Sequence, residues 1–139
     1  MPRTHVLAAA LTGACALSPA EAQPAGLALE LNRADPVETG CRLTFVLHNA
    51  GGPALVDVSL LTAVFDAGGT FDRQVDFRLG GIGAGRSKVQ QFDLVGIGCE
   101  DISRLMVERV SACAGETDRP ADCANGLAVS SAAAISLEY

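Results

Sequence analysis

Four cysteines and one histidine are the residues of this chain with the widest chemical repertoire once its amino-terminal segment is set aside. They are Cys41, Cys99, Cys113, Cys123 and His48. Thiolates with imidazoles can hold a metal ion, and a thiol or hydroxyl beside an imidazole can act as a nucleophile. The spacing supports neither. There is no Cys-x-x-Cys pair, His48 is the only imidazole beyond residue 22, and no Gly-x-Ser-x-Gly elbow is present. Gly80 to Ser87 spells Gly-x-x-x-x-Gly-Arg-Ser. A phosphate-cradling loop needs Lys where Arg86 stands and a helix directly after it, whereas Val89 to Leu94 reads as a strand. Asp72 and Asp76 share a strand face around Gln74 and could form an acid–base pair or a Ca²⁺ site. With Arg73 and Arg78 beside them they read as a solvated polar face. Glu116, Asp118 and Asp122 lie with Arg119 in one polar loop without a fixed ligand geometry. No catalytic, cofactor or metal residue is therefore assigned, and the cysteines are read as disulfides.

The disulfide reading depends on the compartment, and the first 22 residues supply one. Met1 to His5 carries one firm positive charge, Val6 to Leu17 is apolar or small, and Ala20-Glu21-Ala22 is a small-x-small cleavage signature. This predicts a signal peptide over 1–22 and a mature domain over 23–139, periplasmic or extracellular. The apolar run is too short for a transmembrane helix, and no later stretch is long enough. An alternative is a lipid anchor at Cys15 through Leu11-Thr12-Gly13-Ala14-Cys15, although its Leu sits one position too far upstream. If Cys15 leaves with the signal, five cysteines become four, an even number in an oxidising compartment.

The mature chain suffices for one domain with one core. The sequence is 49% hydrophobic but only 4% aromatic, so the core must be aliphatic with few Phe. A net charge of −6 and a single lysine argue against nucleic acid or an anionic membrane surface as a partner.

The elements that must position these residues are strands. Leu27, Leu29 and Leu31 alternate with small or polar residues, as do Leu43, Phe45 and Leu47. Val56 to Phe65 is more continuously apolar, as a central strand covered on both faces would be. Phe71 to Leu79 alternates cleanly, Val89 to Val95 less so. Leu105 to Ala112 follows a helical turn near Glu100 to Ser103, and Leu127 to Leu137 closes the chain. Glycine-rich turns at 49–53, 66–69 and 80–85 separate them. Seven short strands with these turns predict an all-β, immunoglobulin-like antiparallel sandwich.

If each strand crosses the sandwich, successive loops lie at alternating ends. The first, third and fifth fall at one end, here the bottom; the second, fourth and sixth fall at the top. Cys41 and Cys99 then meet at the bottom, and Cys113 and Cys123 flank the sixth loop at the top. Bridged Cα atoms lie within about 7 Å, so Cys41–Cys99 and Cys113–Cys123 are the favoured pairs of the three possible pairings. The top end also gathers His48, Asn49, Arg86, Lys88 and Arg119, a candidate contact surface for an envelope protein or ligand.

The run Leu47-His48-Asn49-Ala50-Gly51-Gly52, the strand end Val64-Phe65-Asp66-Ala67-Gly68-Gly69 and the stretch from Leu79 to Ser87 resemble a pattern in bacterial immunoglobulin-like accessory domains of the cell-adhesion-related type. The resemblance spans about residues 43 to 94, and its motifs are turns. The whole chain also resembles small exported proteins of Gram-negative bacteria. What this implies is a sandwich with a binding or structural role; it transfers no catalytic residue, and the cysteine pairs are not part of it.

Overall fold

The computed structural model describes residues 26–115 and 126–139. Eight strands and one 3-10 turn make up the described chain: β1 (Leu27–Val37), β2 (Gly40–Asn49), β3 (Leu55–Asp66), β4 (Phe71–Arg78), β5 (Ser87–Val95), the turn Cys99–Asp101, β6 (Ile102–Gly115), β7 (Ala128–Ser131) and β8 (Ser136–Glu138). They form two four-stranded sheets, ordered β5-β2-β1-β7 and β4-β3-β6-β8. Two of the three pairs in each sheet are antiparallel, while β7 lies parallel to β1 and β8 parallel to β6.

Period-two leucines build the core. Leu27, Leu29 and Leu31 of β1 and Leu43, Phe45 and Leu47 of β2 all point between the sheets. They meet Val58, Leu60 and Val64 of β3 and Leu105 and Val107 of β6. The few aromatics are concentrated where β4 and β5 close one side. Phe45, Phe77 and Phe92 stack with centroids 4.9–6.1 Å apart and join the two sheets.

The apolar run of β3 is covered on both sides, as expected of a central strand, but its outer cover is polar. Gln74 of β4 donates to Glu108 of β6, and Ser111 of β6 to Asp76 of β4. Both bonds bridge over β3, where Ser59 and Ala63 are buried. The Arg104 guanidinium sits 4.0 Å from the Phe65 ring centroid on the same sheet.

The turn chemistry is more selective than glycine counting suggests. In the stretch 49–53 neither glycine has a positive φ, whereas Gly69, Gly80 and Gly85 do. Gly40 opens β2 at φ 154°, and a Cβ there would meet the Leu94 carbonyl oxygen at 2.0 Å, so only glycine fits.

Two corrections concern strand number. β1 runs to Val37, beyond the three leucines, through a register shift between Leu31 and Arg33. Pro36 is tolerated because β7 covers only Ala28 to Leu31 of that edge. The stretch Leu127 to Leu137 is not one strand, so the count is eight rather than seven. β7 runs down the edge of one sheet, the chain turns at residues 132–135, and β8 runs back up the edge of the other. The Ser131 hydroxyl makes this turn, accepting from the Ala133 amide at 3.2 Å and donating to the Ile135 carbonyl at 2.5 Å.

The alternation of loop ends holds. Ala28 pairs with His48, Leu55 with Gly115 and His48 with Ser87, which puts loops 50–54 and 79–86 and the end of β6 together at the top. Cys41 and Cys99 are joined at the bottom with a Cα–Cα distance of 4.8 Å. This link ties β2 of one sheet to the entry of β6 in the other. Cys113 carries no free thiol; Cys123, its partner in the second pairing read from the sequence, lies outside the described residues.

Candidate functional site

The top end is a knitted pair of loops, and the knitting uses several of the residues singled out from the sequence. Asn49, the last residue of β2, is only 2% exposed. Its amide nitrogen Nδ2 donates to the Pro53 carbonyl at 2.9 Å and, more weakly, to that of Gly83 at 3.4 Å. Its backbone N–H donates to Arg86 O, and Gly85 N–H donates to Asn49 O, both at 2.9 Å. Leu55 and Ile82 exchange two further backbone bonds at 2.8 Å. A buried amide with its hydrogens used this way is a spacer between loops rather than a recognition group.

Lys88 is similarly occupied. Its ammonium donates to the carbonyls of Leu79 at 2.6 Å and Gly81 at 3.0 Å, satisfying oxygens that the turn at Gly80 leaves unpaired. Gln90 adds a bond to Leu79 O at 3.3 Å. The only lysine of the chain therefore stiffens loop 79–86. Arg86 is the residue of that loop whose charge stays exposed.

His48 is half-buried on the outer side of its sheet, next to Ser87 on β5, with Nδ1 and Ser87 Oγ 2.7 Å apart. Sequence spacing did not reveal this pair, which the β2–β5 register creates from residues 39 positions apart. A serine–imidazole contact is one component of a hydrolytic site. The others are missing among the described residues. His48 Nε2 makes no hydrogen bond there, so nothing orients the ring from behind, and the pair lies on a sheet surface rather than in a cleft. Arg119, the remaining member of the predicted surface, lies outside the described residues, as do Cys15, Glu116, Asp118 and Asp122.

The carboxylates weighed as an acid–base pair are separately engaged. Asp72 pairs with Arg73, and Asp76 binds Ser111 and lies 3.8 Å from Arg78. Among the described residues no group of His, Cys, Asp and Glu has the arrangement of a metal site. One charge pair stands out on the face of the β5-β2 pair: Arg42 grips Asp93 with two bonds of 2.7 and 2.8 Å. The Arg42 guanidinium holds the Asp93 carboxyl below its usual range, and Asp93 raises Arg42. A depressed carboxyl contributes stability above the ordinary carboxylate pKa and loses it as pH falls through the folded value. Both side chains lie at the surface, 42% and 36% exposed, so screening by water keeps the contribution small.

A recess at the other end was not foreseen. At the bottom a cleft of about 350 Å³ lies between residues 32–35 of β1, Cys99 and Glu100, and the turn at 132–135. It exists because the terminal segment bends from one sheet to the other, a bend that unbroken period-two spacing concealed. Two of its charged lining residues pair with each other, Arg33 bonding Asp35 at 2.9 Å.

Among the described residues no helix is long and apolar enough to cross a membrane. Comparison of the chain with protein-family models, with curated proteins and with solved structures finds no match in any of the three.

Proposed function

We propose that this chain is an exported, non-catalytic binding or accessory module of the bacterial envelope, with the top loops as its contact surface. The observation that carries the reading is the bonding of loops 50–54 and 79–86 to each other through Asn49 and Lys88, which leaves the Arg86 charge exposed on a stiff platform. Loops held rigidly by a sandwich lose little entropy on binding. In this reading the signal is 1–22, the mature domain is 23–139, the fold is of immunoglobulin-like type, and Cys113–Cys123 braces the sixth loop. Exposed Arg86 and half-buried His48, with Arg119, supply the contacts, and Asn49 and Lys88 hold them in place. The Cys41–Cys99 link is compatible with an oxidising compartment outside the cytosol.

Charge reversal tests this reading. The double variant Arg86→Glu/Arg119→Glu, folded and exported normally, is expected to lose at least 10-fold in recovery of a cross-linked envelope partner, the scale of about 1.4 kcal/mol. Recovery equal to that of the unaltered chain contradicts the proposed surface.

A second reading, a structural component of an envelope assembly that joins partners by β-strand addition, rests on Leu127 to Leu137 as one long edge strand. That basis does not hold, because the stretch is divided into strands of four and three residues.

A further inference from the structure

We propose that the open edge of β5 pairs antiparallel with β5 of a second copy, about a two-fold axis at Phe92, making one continuous sheet across two molecules. This is independent of the loop surface at the top.

The backbone of β5 fixes which groups are available. Arg86 O accepts from Asn49 N on β2, and Leu94 O points at β2 closely enough to exclude a Cβ on Gly40. In an antiparallel ladder, residues that bond the neighbour alternate with residues whose N–H and C=O face away. Val89, Gln91, Asp93 and Val95 therefore direct their backbone groups outward. Val95 O agrees with this assignment, since it accepts from Arg73 Nη1, reaching across from the other sheet, at 2.7 Å.

Edge strands are commonly guarded by lysine, proline, a bulge or uncompensated charge. β5 has none of these among its outward residues. It contains no proline, and its register with β2 is continuous from Ser87 to Val95. Its one lysine has its ammonium bound to the Leu79 and Gly81 carbonyls. Asp93 is matched by Arg42. Val89 and Val95 are 60% and 61% exposed, among the most exposed large apolar residues described. By contrast, the β4 edge carries exposed Asp72, Asp76 and Arg78, and β7 and β8 are only four and three residues long.

The row is self-complementary. With the axis at Phe92, Val89 stands opposite Val95 of the second copy, and Gln91 opposite its Asp93. Gln91 and Asp93 of the second copy exchange two backbone hydrogen bonds; at the Val89–Val95 pair the Val95 N–H donates, while its carbonyl, already bound by Arg73 Nη1, accepts through its second lone pair. Apolar meets apolar, and an amide donor meets a carboxylate acceptor, the favourable cross-strand combinations. Because a two-fold operation repeats each contact, the interface closes on itself and stops at a dimer. Edge pairing adds little apolar area, so a dissociation constant on the order of 100 μM is expected.

Sedimentation of the mature, disulfide-bonded chain from about 10 μM to about 1 mM spans that value. The expected result is a mass rising from one toward two protomers. Gln91→Pro removes an outward N–H and leaves the backbone bonds to β2 in place, although it also removes the Gln91 side-chain bond to Thr44 Oγ1; Val89→Lys/Val95→Lys places charge on exposed positions and keeps the test alive should the proline variant misfold. Each variant that folds should weaken association at least 10-fold. Mixing Val89→Cys with Val95→Cys chains should give a disulfide-linked heterodimer, since directly paired Cα atoms lie about 5.5 Å apart. A monomer at every concentration, or a dimer indifferent to the Val89→Lys/Val95→Lys variant, overturns the proposal. Arg86→Glu/Arg119→Glu should leave the mass unchanged, so this surface and the loop surface fail separately.

Discussion

Replacing Cys41 and Cys99 together by alanine is expected to destabilise the domain by about 4 kcal/mol, by the chain-entropy relation for a cross-link of this span. The link joins residues 58 positions apart and connects the two sheets at the bottom, where Cys41 is completely buried. A domain of this size has a total stability on the order of 5–15 kcal/mol, so the change is a large share of it. The melting temperature should fall by roughly 12–20 °C. The unfolded chain gains most of the freedom, so the native cleft beside Cys99 should be little altered. Thermal melts of the folded double variant provide the check, and a fall of less than about 2 °C would show that the link contributes almost nothing.

Phe45→Ala should be comparably damaging, at about 3–5 kcal/mol. Phe45 is 2% exposed and is the member of the aromatic cluster that contacts both Phe77 on the opposite sheet and Phe92 on its own. Phe77 and Phe92 line the void and lose their ring contacts with Phe45, so the cost includes the cavity as well as the lost packing. With a urea m-value of about 1–3 kcal/mol/M, the midpoint should drop by roughly 2 M. Phe45→Leu keeps most of the volume and should cost less than about 1.5 kcal/mol. Equal midpoints for the alanine and leucine variants would mean that the cluster does not hold the sheets together.

Much of this architecture was legible because one face of each sheet is aliphatic. Leucine alternation locates β1 and β2, and Val75 to Leu79 locates β4. Loop alternation then follows from antiparallel geometry, which is why Cys41–Cys99 could be assigned before any coordinates. The terminal segment was misread for an equally physical reason. Leu127, Val129, Ile135 and Leu137 all occupy odd positions, so a four-residue turn leaves the period intact, and no Gly or Pro marks it. A serine hydroxyl makes that turn, and Ser131 resembles any other strand serine until its partners are known. At the top, Asn49 and Lys88 were correctly placed by topology. Their inward use was invisible, because a carbonyl that needs a donor is a property of the folded loop and not of the lysine. Ser87 beside His48 was missed on similar grounds: the pair is created by strand register.

The bottom cleft, the stiff top loops and the β5 edge belong to one arrangement, two sheets linked by Cys41–Cys99 at the end opposite those loops. The link is compatible with a chain that has left the reducing cytosol. Non-reducing peptide mapping of the protein recovered from cells is the most direct test of both. The result predicted here is an amino terminus at Gln23 with Cys41 linked to Cys99 and Cys113 to Cys123. A folded product that retains Met1 and five titratable thiols, or one in which Cys99 is joined to Cys113, would contradict it.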